Sequence, residues 1–197
     1  MNSADVTKVI DDNIKSRRSI RAFLPKPVAK QEILEFLEVA GRAPSGTNIQ
    51  PWQVFVVTGD KKQAISDEII QISNDPESVK EHAEEYNYYP STWIDPYISR
   101  RRKVGLDLYS LLGIAKGDKE KMQAQNNRNY LFFDAPVGIF FVIDRVMQQG
   151  SWLDYGMFIQ NVMLAAKARG LDTCPQAAFT QFHRVIAKHL NLKPEQQ

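Results

Sequence analysis

Residues 151–169 read SWLDYGMFIQNVMLAAKAR and form the strongest helical pattern in the chain. Gly170 is placed to end this helix, and Ser151 with Asp154 resembles a capping pair at its start. The apolar side chains recur at helical spacing and make one stripe, Tyr155, Phe158, Ile159, Val162, Met163 and Ala166. The pattern therefore predicts a central helix, and its small residues would let another element pack closely against it.

Strands are predicted on both sides of this helix in the sequence. The run VGIFFVI (137–143) is almost continuously apolar, as expected of a strand covered on both faces. QVFVVT (53–58) reads as a second strand, and LDTCPQAAF (171–179) could begin with a short third one. Further helices are predicted over 5–18, 30–41, 61–73 (with Asp60 as its cap), 118–133 and about 180–190. Helices dominate, which indicates an α+β or α/β fold with a small sheet inside helices.

The chain length favours one domain. A sequence of 197 residues is enough for one good core and too short for two full domains. The polar and aromatic stretch around 74–117 interrupts the regular pattern. We therefore predict one domain over residues 1–197, with an insertion, part helical, around 74–117.

Composition excludes several function classes. Lys and Arg total 25 and Asp and Glu total 23, so a net charge of +2 gives no argument for nucleic-acid or membrane binding. The first 21 residues contain no apolar run of signal-peptide length, and no stretch of the sequence approaches the eighteen or more apolar residues of a membrane span. The one cysteine, Cys174, rules out an internal disulfide and fits a reducing compartment. Cytoplasmic localisation is the prediction.

Missing motifs narrow the chemistry further. No GxGxxG follows a predicted strand, and no GxxxxGK[ST] loop is present, so neither dinucleotide nor P-loop nucleotide binding is indicated. The three histidines, His82, His183 and His189, are scattered without the spacing of metal ligands. Hydrolase and zinc functions are therefore disfavoured.

The first candidate site is the basic cluster RRSIR at the exit of the first helix. Arg17, Arg18 and Arg21 supply guanidinium forks that suit a phosphate, and Ser19 adds a neutral donor. The alternative is a solvated basic helix end that interacts favourably with the helix dipole. Taken alone, this cluster favours the alternative.

The second candidate is the turn-rich segment APSGTNIQPW (43–52). Its small residues, with Pro44 and Gly46, permit close backbone approach, and Ser45 and Asn48 supply directional polar groups. This mixture suits the edge of a flat heteroaromatic ring. An ordinary helix-to-strand connection has a similar composition, so the segment alone leaves both interpretations open.

Two further segments carry candidate residues. In TCPQAAF (173–179), the residues Pro175, Gln176, Ala177 and Ala178 could present backbone N–H groups to a ligand, or could simply lead a buried strand into the last helix. Cys174 reads as a small packed hydrophobe. The run RRRK (100–103) is more typical of a solvated face than of a contact to a phosphate or an anionic substrate.

Taken together and in this order, these segments resemble the nitroreductase family. The progression is RRSIR with FLPKPV, then GRAPSGTNIQPWQVFVV, FFDAPVGIFF and GLDTCPQAAF, spanning about residues 10–190. The specific part is PSGTNIQPW about twenty-five residues after RRSIR. The insertion, with NYYPSTW and RRRKVGLDLYSLLG, resembles the branch that contains nitrobenzoate reductases.

The resemblance implies an α+β, nitroreductase-like fold with a small mixed sheet wrapped by helices, in an interlocked homodimer. Helix 151–169 would lie in the dimer interface and FMN between the subunits. It also implies contacts for the residues singled out above: Arg17 and Ser19 at the FMN phosphate with Arg18 beside them, Arg21 near the pyrimidine edge, Pro44, Ser45, Gly46 and Asn48 from the partner subunit, and Pro175, Gln176, Ala177 and Ala178 along one side of the ring.

The implied activity is hydride transfer from NADH or NADPH, through flavin N5, to a small aromatic acceptor of the nitroaromatic or quinone type, in a ping-pong cycle. Tyr86, Tyr88, Tyr89 and Trp93 could shape the acceptor cleft, although a small core within the insertion is the favoured interpretation. The same fold also hosts reductive dehalogenation and flavin breakdown.

The end of the sequence departs from the family pattern. In that family the chain continues with a further strand, a basic segment at the FMN phosphate and an arm around the other subunit, whereas this sequence stops at NLKPEQQ (191–197). Either the sequence is truncated or the protein lacks some contacts to the flavin. A flavin-binding or dimeric scaffold protein without turnover is therefore the alternative from another function class.

Overall fold

The computed structural model describes residues 3–197 as helices packed around a two-stranded sheet. The α-helices and strands are α1 (Ser3–Ser16), α2 (Lys30–Ala40), β1 (Gln53–Thr58), α3 (Gly59–Ser73), α4 (Tyr97–Leu111), α5 (Lys119–Asn127), β2 (Val137–Val142), α6 (Gln149–Lys167) and α7 (His183–Leu190). Short 3-10 helices cover Gly46–Asn48, Ser78–Glu81, Phe132–Asp134 and Ala178–Phe182. The α+β arrangement predicted from the sequence is confirmed.

The sheet pairs β1 with β2 in antiparallel fashion, with Gln53 opposite Val142 and Thr58 opposite Val137. Both predicted strands are confirmed to within one residue. The expected mixed sheet is antiparallel in these two strands, and parallel pairing occurs in the described residues as one separate bridge, between Ser19 and Thr173. The third strand considered at 171–179 is reduced to that bridge. Residues 195–197 pair with 143–145 just beyond β2.

Each face of the sheet is covered by its own apolar core. On one face α2 and α6 pack over the strands, and the Trp52 ring stacks on Phe158 with centroids 4.9 Å apart. On the other face α3 and α7 pack together, and Val57 and Phe140 reach that core from the strands. This explains the almost continuous apolar run of β2, because successive side chains of a strand point to opposite faces and both faces are covered.

The two caps predicted from the sequence are wrong. Helix α6 begins at Gln149, and its N-cap residue makes no side-chain cap bond. Asp154 instead accepts a hydrogen bond from the Gly46 amide at 3.0 Å, a partner 108 positions away that local sequence cannot reveal. Asp60 lies in the first turn of α3, and the N-cap position belongs to Thr58.

Two predicted helices are shorter than their apolar patterns suggested. Helix α5 ends at Asn127 and is followed by turns. A helix could not continue through 133, because Phe132, Phe133 and Asp134 adopt left-handed conformations with φ of 55°, 52° and 70°. The turn presses the Phe132 ring against Gly138, where an added Cβ would lie 2.5 Å from a ring carbon. The last helix begins at His183 because residues 178–182 form the tighter 3-10 helix.

Tyr155 of α6 joins the helix to both strands. Its hydroxyl lies 2.7 Å from the Gln53 carbonyl oxygen and 2.9 Å from that of Val142, and it accepts from the Gln53 amide at 3.2 Å. Burial raises the pKa of this hydroxyl, so it stays a neutral donor.

We expect Tyr155→Phe to lower the free energy of unfolding by about 1–3 kcal/mol, because it leaves buried backbone groups without their partner. Urea unfolding followed by circular dichroism measures this. Tyr97→Phe is the matched control, since Tyr97 is exposed, and we expect a change within about 0.5 kcal/mol. Equal losses in the two variants would contradict the assigned role of the hydroxyl.

Candidate active site

The RRSIR cluster and the segment after α6 lie side by side. The Ile20 amide donates to the Thr173 carbonyl oxygen at 3.1 Å, and Ser19 forms the parallel bridge with Thr173. Helix α1 directs the chain there because it packs on α6, where the Asn13 amide group donates to the Leu164 carbonyl oxygen at 3.1 Å. Two of the three predicted site segments therefore meet near the C-terminal end of α6.

A cavity of about 310 Å³ opens at this junction. It is lined by Arg21, Glu84, Tyr88, Tyr89, Asn129, Cys174, Pro175, Gln176, Ala177 and Ala178. Five residues predicted for the site, Arg21 and 175–178, thus share one space. Glu84 and Asn129 were missed, since each is a single polar residue in an irregular stretch without motif spacing.

The wall formed by residues 174–178 is fixed by side chains and leaves backbone donors available. The Gln176 amide group donates to the Asn129 carbonyl oxygen and to its Oδ1, both at 3.1 Å. Thr180 donates to the Glu84 carboxylate at 2.9 Å, which ties the insertion to this wall. Within residues 3–197 the backbone amides of Gln176 and Ala177 have no acceptor, so a ligand in the cavity can use them.

The three arginines of RRSIR occupy different positions. Arg18 turns back on α1 and donates to the carbonyl oxygens of Arg17, at 2.9 Å, and Lys15. It therefore serves as a C-terminal cap, in line with the helix-end alternative. In the described part of the chain, the guanidinium groups of Arg17 and Arg21 meet no acceptor or carboxylate, and both remain available to an anion.

Arg21 also affects the chemistry of its neighbour in the cavity wall. Burial raises the pKa of the Cys174 thiol, while the positive charge of Arg21 acts in the opposite direction. Cys174 is a free, half-buried thiol, which agrees with a packing role. The Arg21 charge therefore lies beside the wall that carries the unpaired backbone amides of 176–177.

The turn-rich segment lies elsewhere, against the N-terminal half of α6. The Gly46 amide is bound by Asp154, and the Ser45 hydroxyl accepts from the Gln50 amide at 2.9 Å. Thr47 and Asn48 adopt left-handed conformations, with φ of 50° and 60°, and their side chains are exposed. Pro44, Ser45, Gly46 and Asn48 are not among the residues that line the cavity of the same chain.

The separation along α6 can be estimated from its two contacts. The turn meets Asp154, whereas α1 meets Leu164, ten residues later, which is about 15 Å along a helix. The segments predicted to form one site therefore sit near opposite ends of the same helix within one chain.

Aromatic residues of the insertion form part of the cavity wall and also pack on one another. The rings of Tyr88 and Tyr89 meet edge to face with centroids 4.8 Å apart, and Tyr89 lies 5.6 Å from Trp93. Tyr86 packs on Trp152 of α6 at 4.8 Å. Both interpretations considered from the sequence therefore apply, since Tyr88, Tyr89 and Trp93 pack on one another and two of them, Tyr88 and Tyr89, line the cavity.

Residues 3–197 contain neither a candidate metal site nor a candidate membrane-spanning helix. No group of three or more histidine, cysteine, aspartate or glutamate side chains could hold a metal ion there. No helix in this part of the chain is long and apolar enough to cross a membrane.

Comparisons with known proteins agree on one family. A profile of the nitroreductase family matches residues 14–197. Over 192 residues, the chain is 40% identical to the 4-nitrobenzoate reductase of Pseudomonas putida, covering 98% of this chain and 82% of that protein.

Two solved structures share the fold. The FMN and NADPH-dependent nitroreductase NfnB from Sphigopyxis sp. strain HMH has a TM-score of 0.89 at 39% identity, covering 95% of this chain and 83% of that one. The FMN-dependent nitroreductase NfnB from Mycobacterium smegmatis, solved in complex with NADPH, has a TM-score of 0.90 at 27% identity, covering 98% and 85%. The matched profile, these identities and the shared arrangement of helices around a small antiparallel sheet establish that the chain belongs to the nitroreductase family.

Proposed function

We propose that this protein is an FMN-dependent oxidoreductase that passes a hydride from NADH or NADPH to a nitroaromatic or quinone-type acceptor. The observation that carries the proposal is the cavity in which Arg21 stands beside the free backbone amides of 176–177. The names of the relatives support the chemistry, since they are a 4-nitrobenzoate reductase and FMN-dependent nitroreductases.

The donor set fits FMN. Arg17 and Ser19 supply a cation and a hydroxyl for the phosphate, and Arg21 supplies an unpaired cation for the pyrimidine edge of the ring. The small side chains of Ala177 and Ala178 leave room for a flat ring along the wall. When bound, FMN accepts the hydride at N5 and delivers electrons to the acceptor, which explains why no acid–base constellation is needed.

We propose a homodimer because several apolar side chains are exposed to solvent near both parts of the proposed site, the cavity and the turn 44–48. On α1 these are Val6, Val9, Ile10 and Ile14, of which Val9 is 58% exposed. On α6, Leu153 is 74% exposed and Met157 lies one turn away on the same face. Monomers rarely leave contiguous apolar faces in water.

The positions of the turn 44–48 and of the cavity, near opposite ends of α6, also favour a symmetric pairing of two subunits through α6. In a two-fold dimer each subunit presents the same surface, so antiparallel α6 helices would bring the N-terminal end of one beside the C-terminal end of the other. The turn 44–48 of one subunit would then approach the cavity of its partner, and each dimer would contain two complete sites.

The other functions considered from the sequence have less support. The relatives reported above are named for nitro reduction, whereas no residue in the cavity points specifically to dehalogenation, flavin breakdown or a scaffold role. We further propose a single nitroreductase-like domain over residues 1–197 and cytoplasmic localisation, for which the free thiol of Cys174 is the support.

The experiment is a flavin titration followed by anaerobic reduction and reoxidation. We expect the purified protein to bind FMN, to lose the yellow flavin colour with NADH or NADPH, and to regain it on addition of methyl 4-nitrobenzoate. Protein that takes up no FMN would favour the scaffold alternative. Protein that binds FMN and is bleached, yet is reoxidised only by a halogenated aromatic, would favour dehalogenation.

A further inference from the structure

One arginine of the insertion is held over two aromatic rings. The guanidinium carbon of Arg101 on α4 lies 4.6 Å from the ring centroid of Trp93 and 5.2 Å from that of Tyr89. Both distances fall within the range of cation–π contacts, and the two rings also contact each other. The long side chain is therefore kept in place without an ion pair.

The hydrogen-bonding capacity of Arg101 is unused. Within the described residues its guanidinium has no hydrogen-bond acceptor and no carboxylate, whereas Lys103 on the same helix is paired with Asp107 at 2.6 Å. A guanidinium that stacks on rings keeps its N–H donors in its own plane, where they form a fork that matches a carboxylate bidentately. Arg101 is thus a fixed cation with free donors.

Its position connects this cation to the proposed active site. Tyr89 contacts Arg101 and also lines the cavity that holds Arg21 and residues 175–178. Glu84 lines the same cavity, and its carboxylate accepts a hydrogen bond from the Thr180 hydroxyl. The Arg101 cation therefore lies 5.2 Å from the centroid of a ring that lines the cavity.

We propose that Arg101 binds the carboxylate of an anionic aromatic acceptor, so that the enzyme prefers ring substrates that carry a carboxylate. This inference rests on the proposed function and specifies its substrate class. Tyr89 and Trp93 act as positioning residues, because their rings hold the guanidinium next to Tyr89, which is part of the cavity wall. A phosphate of the reductant could use the same fork, and the experiment separates these two anions.

The first measurement is equilibrium binding to the FMN-loaded protein of benzoate and its uncharged analogue benzamide, followed by tryptophan fluorescence. We expect wild-type protein to prefer benzoate, and Arg101→Gln to weaken benzoate binding at least about tenfold with benzamide unchanged. Arg101→Lys keeps a cation over the rings but loses the planar fork, and it should also bind benzoate less tightly. Arg102→Gln is the control, because it removes the same charge from an exposed neighbour on the same helix.

The second measurement compares kcat/KM for 4-nitrobenzoate and for its methyl ester. The ratio of the two should fall about tenfold in Arg101→Gln and change less than twofold in Arg102→Gln, while the ratio for NADPH over NADH stays constant. Parallel losses for charged and uncharged ligands, an equal effect in the control, or a loss confined to NADPH would each overturn the proposal. Failure of wild-type protein to reduce both 4-nitrobenzoate and its ester would count against the proposed function, whereas the benzoate comparison would still test Arg101.

Discussion

Replacing Arg17 and Arg21 together with alanine will weaken FMN binding by at least about 2 kcal/mol, which is roughly thirtyfold in Kd. Both guanidinium groups lack a partner in residues 3–197, so their donors are free for the cofactor. Arg17 would lose charge-assisted contacts to the phosphate, and Arg21 would lose its contact at the ring edge. Each such hydrogen bond contributes about 1.5–3 kcal/mol.

A flavin-fluorescence titration measures the effect, and a second double variant separates local contacts from net charge. Lys61→Ala with Lys119→Ala removes two positive charges from exposed positions on α3 and α5. We expect its affinity for FMN to equal that of the wild type. Equal affinity in the arginine variant would show that these residues do not hold the cofactor.

Replacing Leu153 and Met157 together with glutamate will dissociate the proposed dimer and abolish FMN binding at the same time. Both side chains lie on the uncovered face of α6, and two carboxylates there would be buried without partners. Because desolvation of one buried charge costs several kcal/mol, we expect the dimer dissociation constant to rise at least about a thousandfold.

Light scattering over a range of concentrations, with FMN content measured in each sample, tests this coupling. Leu111→Glu is the matched control, since Leu111 is 85% exposed on α4 and lies outside the α6 face. The control should keep the dimer and its FMN. A monomeric Leu153/Met157 variant that still binds FMN tightly would contradict a site shared between subunits.

The secondary structure could be predicted from the sequence where buried apolar residues recur at the spacing of a helix or a strand. Tyr155, Phe158 and Val162 are spaced for one face of a helix and are buried in α6, and β2 is apolar because both of its faces are covered. Elements that depend on distant contacts could not be predicted in this way. Asp154 resembles a cap locally, yet its partner is Gly46. The helix predicted over 118–133 ends at Asn127, before the left-handed residues 132–134.

The site was predictable to a similar extent. Arg21 and the segment 175–178 carry recognisable residue types, and the structure brings them to one cavity. Asn129 could not be recognised, because its role in fixing the wall depends on a contact with Gln176, 47 positions away. The sequence could not reveal the unpaired donors of Arg101 either, because the run RRRK is typical of a solvated face and the contacts of Arg101 with Tyr89 and Trp93 appear only in the structure.

The measurement that tests the central claim most directly is the FMN stoichiometry of a mixed dimer. One chain carries Arg17→Ala with Arg21→Ala, and the other carries Asn48→Asp, which tolerates the left-handed backbone and places a negative charge in the turn. In a shared site, one of the two sites receives both defects and the other receives intact arginines and an intact turn. We predict one FMN bound with wild-type affinity per mixed dimer and none bound with that affinity in either parent dimer, whereas a mixed dimer without such a site would contradict the shared site.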